Sequence, residues 1–177
     1  FVPQKTDIET DFTAEEIVMT GRTPYQGRFE GTSIGDKEAV YRAFSLTKAD
    51  KLKDKKFAIL SGGEKQKIVI ARAVAQTTPW MLLDEPIASL DIKNQIEIMQ
   101  TLLELNRQEG VSVLMVLHDI NLAGIYCDRL IMLKDGQVIA AGNTNECLCE
   151  ENLKKLYDIS FFHMDTKNGQ RYYYAEI

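Results

Sequence analysis

The sequence predicts an α/β fold in which helices cover both faces of a mostly parallel sheet. Two short apolar runs, Trp80–Leu83 and Val111–Leu117, are typical of buried strands. The segment Asp91–Glu109 between them carries apolar residues at helical spacing, and Gly110 is a favourable residue for ending a helix. Because strands that alternate with helices usually pair in parallel, these observations favour a parallel sheet.

The first sixty residues predict a small helical lobe, since they contain more turn residues and fewer apolar runs than the rest of the chain. Thr13 and Glu16 form a capping-box pattern at the start of a short helix. Glycines and prolines interrupt the chain between positions 21 and 31. A second helical stretch begins at Asp36 and places Val40 and Phe44 on one face.

Further helices are predicted from Ser61 to Ala75 and from Asp119 to Tyr126. Two β-hairpins are also predicted, and they join Arg129–Leu133 to Val138–Ala141 and Ile159–His163 to Arg171–Ala175. A short helix, Asn152–Tyr157, lies between the two hairpins. We therefore divide the chain into a helical lobe (1–60), a second part of the core (61–150) and a terminal helix with a hairpin (151–177).

Composition excludes several classes of protein. At 177 residues the chain is long enough for one domain with its own core, and a net charge of −5 gives no reason to expect a nucleic-acid surface. No apolar run reaches the length needed to cross a bilayer, and the first residues lack the features of a signal peptide. We therefore expect any link with a membrane to come through a partner.

Three cysteines, Cys127, Cys147 and Cys149, cannot all pair within one chain, which favours a reducing compartment. Cys147 and Cys149 could be combined with His163 into a metal cluster. Their spacing fits no standard zinc pattern, so free cysteines are the better interpretation. We expect no metal at these residues.

The segment Leu60–Gln66 (LSGGEKQ) is the strongest chemical signal in the sequence. Two glycines at a helix start allow a ligand to approach the backbone. The free N–H groups and the positive end of the helix dipole suit a phosphate oxygen. Taken alone, the same pattern is explained equally well by a helix that Ser61 caps after a turn.

Asp84 and Glu85 follow the first buried strand directly. Ligands gather at the carboxyl ends of strands in open parallel sheets. One carboxylate there can hold Mg²⁺, and the other can orient or deprotonate an attacking water. The alternative is a strand end with two solvated acids, but that does not explain why His118 ends the next buried strand in the same manner. An imidazole at that position can hydrogen-bond a terminal phosphate.

The order of these motifs resembles that of the ABC ATPases over essentially the whole chain. The matching segments are Phe1–Gln4 before the Q-loop glutamine, Leu60–Gln66 as the signature motif, Trp80–Glu85 as the Walker B strand, Ser89-Leu90-Asp91 as the D-loop and His118 as the switch histidine. The resemblance implies a P-loop NTPase core, here incomplete, with a helical subdomain and a C-terminal β-hairpin.

The resemblance further implies an ATPase that uses ATP and Mg²⁺. Glu85 would be the general base or water-polarising residue, and Asp84 the acid linked to the metal. His118 would sense the γ-phosphate, and Gln4 would lie beside the Mg²⁺ and the attacking water.

The family works as a head-to-tail dimer with two ATP molecules between the subunits. By resemblance, Asp91 would cross that interface. The signature residues expected to bind the nucleotide held by the opposite subunit are Ser61, Gly62, Gly63, Glu64 and Gln66.

A narrower resemblance is to importers of ferric siderophores, haem and cobalamin. The segments that carry it are Glu16–Tyr25 with Gly27-Arg28-Phe29, Asp91-Ile92, Leu117–Ala123 and Leu133–Gly136. Arg22–Phe29 would lie in the lobe that receives the coupling helix of a transmembrane permease, although a plain surface loop is equally compatible with Arg22 and Tyr25. The resemblance implies a cytoplasmic subunit that is attached to the inner face of the membrane through that permease.

No G-x-x-x-x-G-K-[ST] occurs in the sequence, so the Walker A phosphate loop of the family is absent. The family places that motif upstream of Gln4, and its strand between Val111–Leu117 and Arg129–Leu133. We expect a truncated form of the domain that neither binds MgATP usefully nor hydrolyses it alone. Two strand edges would then be left without partners.

Two other classes of function remain open. A soluble ABC protein of DNA repair or translation is one, but residues 5–59 are too short for the coiled coil of the repair type and lack heptads. A non-catalytic remnant that acts as a binding module is the other. Intact Glu85 and His118 favour an active parent protein, whose transported substrate the sequence does not identify.

Overall fold

The structure is a computed structural model and describes residues 1–4, 11–27 and 31–176. In chain order, the helices and strands are α1 (Ala14–Met19), α2 (Ile34–Leu46), α3 (Gly62–Ala75), β1 (Trp80–Leu83), α4 (Ile92–Glu109), β2 (Ser112–Met115), α5 (Ile120–Tyr126), β3 (Arg129–Lys134), β4 (Gln137–Asn143), α6 (Thr144–Cys147), α7 (Glu150–Tyr157), β5 (Phe161–Asp165) and β6 (Arg171–Ala175). Short 3₁₀ turns lie at Thr20–Tyr25, Asp50–Leu52 and Phe57–Ile59.

The chain folds into two compact units, Phe1–Leu117 and His118–Ile177. In the first unit, α1 and α2 both pack against α3. The division of the chain into residues 1–60, 61–150 and 151–177 stays a prediction.

Helix starts in the first unit are set by side-chain caps. The capping box of Thr13 and Glu16 opens α1 as predicted. Helix α2 begins at Ile34, two residues before the predicted start, because Ser33 caps it and Asp36 completes a second capping box. Asp36 is buried inside the first turn and does not begin the helix.

Strands β1 and β2 form a parallel pair in which Leu82 lies opposite Leu114. Val2 extends the pair on the other side of β1, since its N–H donates to the carbonyl of Leu82 (2.8 Å) and its carbonyl accepts from the N–H of Asp84 (2.9 Å). The α/β fold class is confirmed, and its parallel part consists of these two strands and the bridge at Val2. The other described strands form two antiparallel pairs, β3–β4 and β5–β6.

The second unit is built around both predicted hairpins. Strand β5 lies two residues further along the chain than predicted, and helix α6 was not predicted. Tyr173 on β6 is buried, while Tyr174 is exposed. The hydroxyl of Tyr173 donates to the carbonyl of Leu148, which ties the hairpin to the turn after α6.

The three cysteines are free, and burial affects the thiols of Cys127 and Cys147. Desolvation raises the pKa of Cys127 to about 11 and also raises the pKa of Cys147, so both remain thiols at neutral pH. Within the described ranges, no group of three or more histidines, cysteines or acids could hold a metal ion. In the same ranges, no helix is both long and apolar enough to cross a membrane.

Candidate functional site

The carboxyl end of β1 brings together three of the predicted site residues. Val2 pairs with β1, and this pairing carries Gln4 to the point where the strand ends. There the side-chain amide of Gln4 donates to the carboxylate of Glu85, with 2.5 Å between Nε2 and Oε2. Asp84 lies beside them, and its N–H is bonded to Val2. Gln4 and Glu85 therefore meet at the strand end that Asp84 also occupies, and the roles of the three residues stay a prediction.

The backbone at Glu85 adopts a left-handed conformation, with a φ of +46°. A residue with a side chain rarely adopts this region, and such strain is concentrated at functional sites. The turn directs the chain away from β1 immediately after Asp84. Asp84 and Glu85 therefore differ in backbone conformation, since only Glu85 has a positive φ. Both residues are half-buried.

The donor atoms at this strand end are of the kind that Mg²⁺ prefers. Asp84 and Glu85 supply carboxylate oxygens, and Gln4 supplies an amide oxygen. The side-chain nitrogen of Gln4 donates to Glu85, so the amide oxygen of Gln4 lies on the other side of the planar group. The residues present therefore fit a magnesium ion that is held together with phosphate oxygens.

The signature segment forms the start of α3. Ser61 is the N-cap, and its hydroxyl accepts from the N–H of Glu64 (3.3 Å) while the Glu64 carboxylate accepts from the N–H of Ser61 (2.9 Å). This backbone hydrogen bond is the main reason that the pKa of Glu64 lies below its ordinary value. Ser61 and Gly62 are exposed, whereas Gly63 is buried. Ser61 and Gly62 are thus the accessible part of the segment.

Gln66 and Glu64 are half-buried on α3. The carboxylate of Glu64 accepts a hydrogen bond from the N–H of Ser61 and so stabilises the start of α3. Contacts of all five signature residues with a nucleotide stay a prediction.

The D-loop leads into α4, and Asp91 caps this helix. Its carboxylate accepts from the N–H of Asn94 (2.9 Å) and from the side-chain amide of Asn94 (2.7 Å). The side chain of Gln95 donates to the carbonyls of Ile87 (3.3 Å) and Leu90 (3.0 Å), which holds the loop against the helix. Sequence reasoning identified Asp91 and missed both Asn94 and Gln95. The cap itself, an aspartate three residues before an asparagine, was the available signal.

His118 lies at the start of the second compact unit and is exposed. Asp119 follows it and caps α5, accepting from the N–H groups of Asn121 and Leu122. The helix start fixes the backbone directly after the histidine. Because His118 and the acid pair belong to different units, their meeting at one phosphate stays a prediction.

For Arg22, a residue of the first unit, a surface loop was one of the two alternatives. The Arg22 side chain is 11% exposed and pairs with Asp36 at 2.9 Å. It also donates to the carbonyl of Ala75 (2.8 Å), at the last residue of α3, and stacks over the ring of Tyr25. Arg22 is therefore an interior residue. Arg28 and Phe29, which belong to the same predicted segment, lie outside the described residues.

Comparison with known proteins agrees with this set of motifs. The sequence model of the family described as ABC transporter matches residues 1–88. The ferric enterobactin transport ATP-binding protein FepC of Escherichia coli is 39% identical over 155 residues, which are 88% of this chain and 57% of FepC. The chain belongs to the ABC transporter family.

Other relatives of this ABC transporter chain carry the names of importer subunits for different cargoes. The cobalamin import ATP-binding protein BtuD of Halobacterium salinarum is 38% identical over 157 residues, which are 89% of this chain and 39% of that protein. The achromobactin transport ATP-binding protein CbrD of Dickeya dadantii is 37% identical, over 92% of this chain and 63% of CbrD. The chain thus spans about 60% of the length of the first curated relatives it matches.

Solved ABC transporter structures share the fold. A protein assigned to the metal-chelate type of ABC transporter, in an inward-facing conformation, superposes with a TM-score of 0.93 at 27% identity and covers all of this chain and 71% of the other. The cassette MJ0796, solved as a dimer bound to ADP and Pi, gives a TM-score of 0.65 at 32% identity, over 80% of this chain and 60% of the other.

Proposed function

We propose that this chain is part of the ATP-hydrolysing subunit of an importer for a metal chelate. The observation that carries the proposal is the meeting of Gln4, Asp84 and Glu85 at the end of β1. An acid at a strand end that holds an amide by a short hydrogen bond is arranged to position a water molecule beside a phosphate. The family to which the chain belongs supports the same assignment.

In the proposed reaction, Glu85 accepts a hydrogen bond from the attacking water and polarises it. Gln4 restrains the Glu85 carboxylate, and its amide oxygen would help to hold the metal. Asp84 contributes a negative charge that attracts the metal. When bound, Mg²⁺ would neutralise charge on the β- and γ-phosphates. His118 would donate a hydrogen bond to the γ-phosphate as charge develops there.

The second half of each proposed site comes from another copy of the chain. Ser61 and Gly62 are exposed at the N-terminal end of α3, where N–H groups and the helix dipole favour an anion. Asp91, also exposed, lies at the start of the neighbouring helix. We propose that these residues contact the ATP held by the partner in a head-to-tail dimer. A related cassette has been solved as a dimer with hydrolysis products.

The cargo and the membrane partner follow from the relatives. Their names include a siderophore importer and a cobalamin importer, so we propose an iron-siderophore, haem or cobalamin as the transported molecule. A cytoplasmic position against a transmembrane permease would be reached through the helical lobe around the exposed Tyr25.

The sequence contains no Walker A motif, and the 177 residues alone are proposed not to hydrolyse ATP. Joined to a phosphate loop of the same family in a complete ATPase, they should support turnover.

The deciding experiment is the Glu85→Gln variant of such a complete ATPase. We expect hydrolysis to fall at least ~100-fold, because the water loses its polarising carboxylate, while ATP binding measured by calorimetry changes less than about threefold. Glu104→Gln changes a partly exposed glutamate of α4 that pairs with Lys48 (2.9 Å), and as the matched control it should keep full activity. Hydrolysis that persists in Glu85→Gln, or tight MgATP binding by the 177 residues alone, would contradict the proposal.

A further inference from the structure

The backbone conformation at position 63 does not require a glycine. It lies inside α3 and its φ is not positive, so residues of any type could adopt its conformation. Space is what excludes a side chain. A Cβ at this position would lie 2.3 Å from Oδ1 and 2.4 Å from Cγ of Asn94. Gly62 differs, because a Cβ there would meet only Leu90 at an ordinary distance of 3.8 Å.

Asn94 is held in this position by Asp91. Its side-chain nitrogen donates to one carboxylate oxygen and its backbone N–H donates to the other. A carboxylate only accepts hydrogen bonds, so the nitrogen of the amide must face Asp91 and the oxygen must face Gly63. The two hydrogen bonds from Asn94 are also the largest causes that lower the pKa of Asp91.

A second contact joins the same two helices one turn further along. Lys67 of α3 and Glu97 of α4 form an ion pair of 2.6 Å, and both side chains are partly buried. The starts of α3 and α4 are therefore connected at two levels, by Asn94 against Gly63 and by Lys67 with Glu97. Gln95 adds the loop before α4 to the same assembly through its bonds to Ile87 and Leu90.

We propose that Asn94 is a positioning residue that fixes the signature tip relative to the D-loop. Asn94 is bonded to Asp91 and packs against Gly63, so the position of Asp91 determines the positions of Ser61 and Gly62. This inference rests on the proposed function, in which both segments reach the same nucleotide of the partner subunit. The side chain of Asn94 would then fix the signature tip and the D-loop at the right distance from each other. Its substitution would change hydrolysis in the site of the partner subunit.

The packing half of the proposal is tested by thermal unfolding of this chain. Gly63→Ala should lower the Tm by about 5 °C or more, since the methyl group collides with the amide. Adding Asn94→Ala should recover at least half of that loss, because the smaller side chain leaves room. Gly62→Ala is the control and should change the Tm by no more than a normal helix substitution. A double variant no more stable than Gly63→Ala would overturn the packing claim.

The functional half is tested with mixed dimers of the complete ATPase. When Asn94→Ala and Glu85→Gln are placed in the same subunit beside a wild-type subunit, the one working base faces the altered signature tip. We expect hydrolysis at least fivefold below that of a Glu85→Gln and wild-type dimer. When the two changes are placed in opposite subunits, the working base faces an unaltered tip, and activity should stay within about twofold of the same reference.

The reverse pattern would mean that Asn94 acts on Glu85 of its own subunit, and equal activity in both arrangements would mean that it has no positioning role. Either result overturns the proposal. An inactive wild-type dimer, or an active Glu85→Gln homodimer, would instead count against the proposed function, while the thermal result would still decide whether Asn94 excludes a side chain at position 63.

Discussion

Asp36 illustrates, at the scale of single residues, how a cap becomes part of the interior. Its carboxylate accepts hydrogen bonds from the hydroxyl and the N–H of Ser33 and from Arg22. The hydrogen bond from the Ser33 side chain is the largest cause that lowers the pKa of Asp36, followed by that from Arg22. Arg22 in turn reaches Ala75 at the end of α3. One acid therefore joins the 3₁₀ turn at Thr20–Tyr25, α2 and α3.

This arrangement predicts how stability depends on pH. A carboxyl group whose pKa is lower in the folded protein than in the unfolded chain stabilises the fold above its unfolded pKa, and the stabilisation is lost as the pH falls through the folded pKa. The unfolding free energy lost in Asp36→Asn should therefore be large at pH 7 and should shrink as the pH falls below about 4. Urea denaturation at pH 7 and at pH 3 measures the difference.

Glu38→Gln serves as the control for this experiment, because Glu38 is exposed on the same helix. The difference between this variant and the wild-type chain should stay small at both pH values. If Asp36→Asn cost the same at pH 3 as at pH 7, the ionised carboxylate of Asp36 would not be what joins the three elements.

At the scale of elements, the sequence predicted best where the signal is local. The bounds of β1 were predicted correctly, and α4 starts at Ile92, one residue after its predicted start at Asp91, and ends before Gly110 as predicted. The starts of α2 and α7 were each placed two residues late, since Asp36 was taken as the helix start and the acids of Glu150-Glu151 were not recognised as a first turn.

Pairing partners far apart in the sequence were harder to predict. Nothing in the sequence around Arg22 indicates that its charge is buried against Ala75, because that contact depends on how α1 and α2 pack on α3. The contact of Asn94 with Gly63 also arises only from tertiary packing. The acid pair was identified from its place at the end of a buried strand and Gln4 by resemblance to a family, and the structure adds the hydrogen bond between Gln4 and Glu85.

Helix α5 and the C-terminal hairpin are joined by one asparagine. The side chain of Asn121 accepts from the N–H of Tyr173 (2.8 Å) and donates to its carbonyl (3.2 Å). In this way the amide of Asn121 takes the place of a neighbouring strand along the outer edge of β6. Because Asn121 lies in the first turn of α5, the hairpin is fixed to the helix that begins just after His118.

We expect Asn121→Ala to increase the hydrogen-exchange rate of the Tyr173 amide at least ~10-fold, because that N–H would lose its acceptor. Asn121→Asp retains an acceptor and should protect the amide nearly as well as the wild type. Asn145→Ala, at an exposed position of α6, should have no effect. Equal protection of Tyr173 in the wild type and Asn121→Ala would show that the hairpin is held by its other contacts, such as that of the Tyr173 hydroxyl with Leu148.

At the scale of the whole molecule, the most consequential feature is the exposed apolar surface on its strands. In the first unit, one face of the β1–β2 pair buries Met81 and Leu83, while the opposite face exposes Leu82 (43%) and Leu114 (55%). In the second unit, Ile131 and Leu133 of β3 are both 62% exposed. In the described part of the chain, no further strand pairs with the outer edge of β2 or of β3.

Apolar strand faces next to unpaired edges favour association. We therefore expect the isolated chain to form oligomers whose size rises with concentration in the micromolar range, as measured by sedimentation velocity. Leu114→Lys combined with Ile131→Lys should shift the chain towards monomer, because each charge would have to be buried in the contact. Ile34→Lys replaces a side chain on α2 that is 79% exposed and should leave association unchanged, since Ile34 belongs to no strand. A chain that remained monomeric at every concentration would mean that these faces are covered in solution, and the same lysine substitutions should then destabilise it instead.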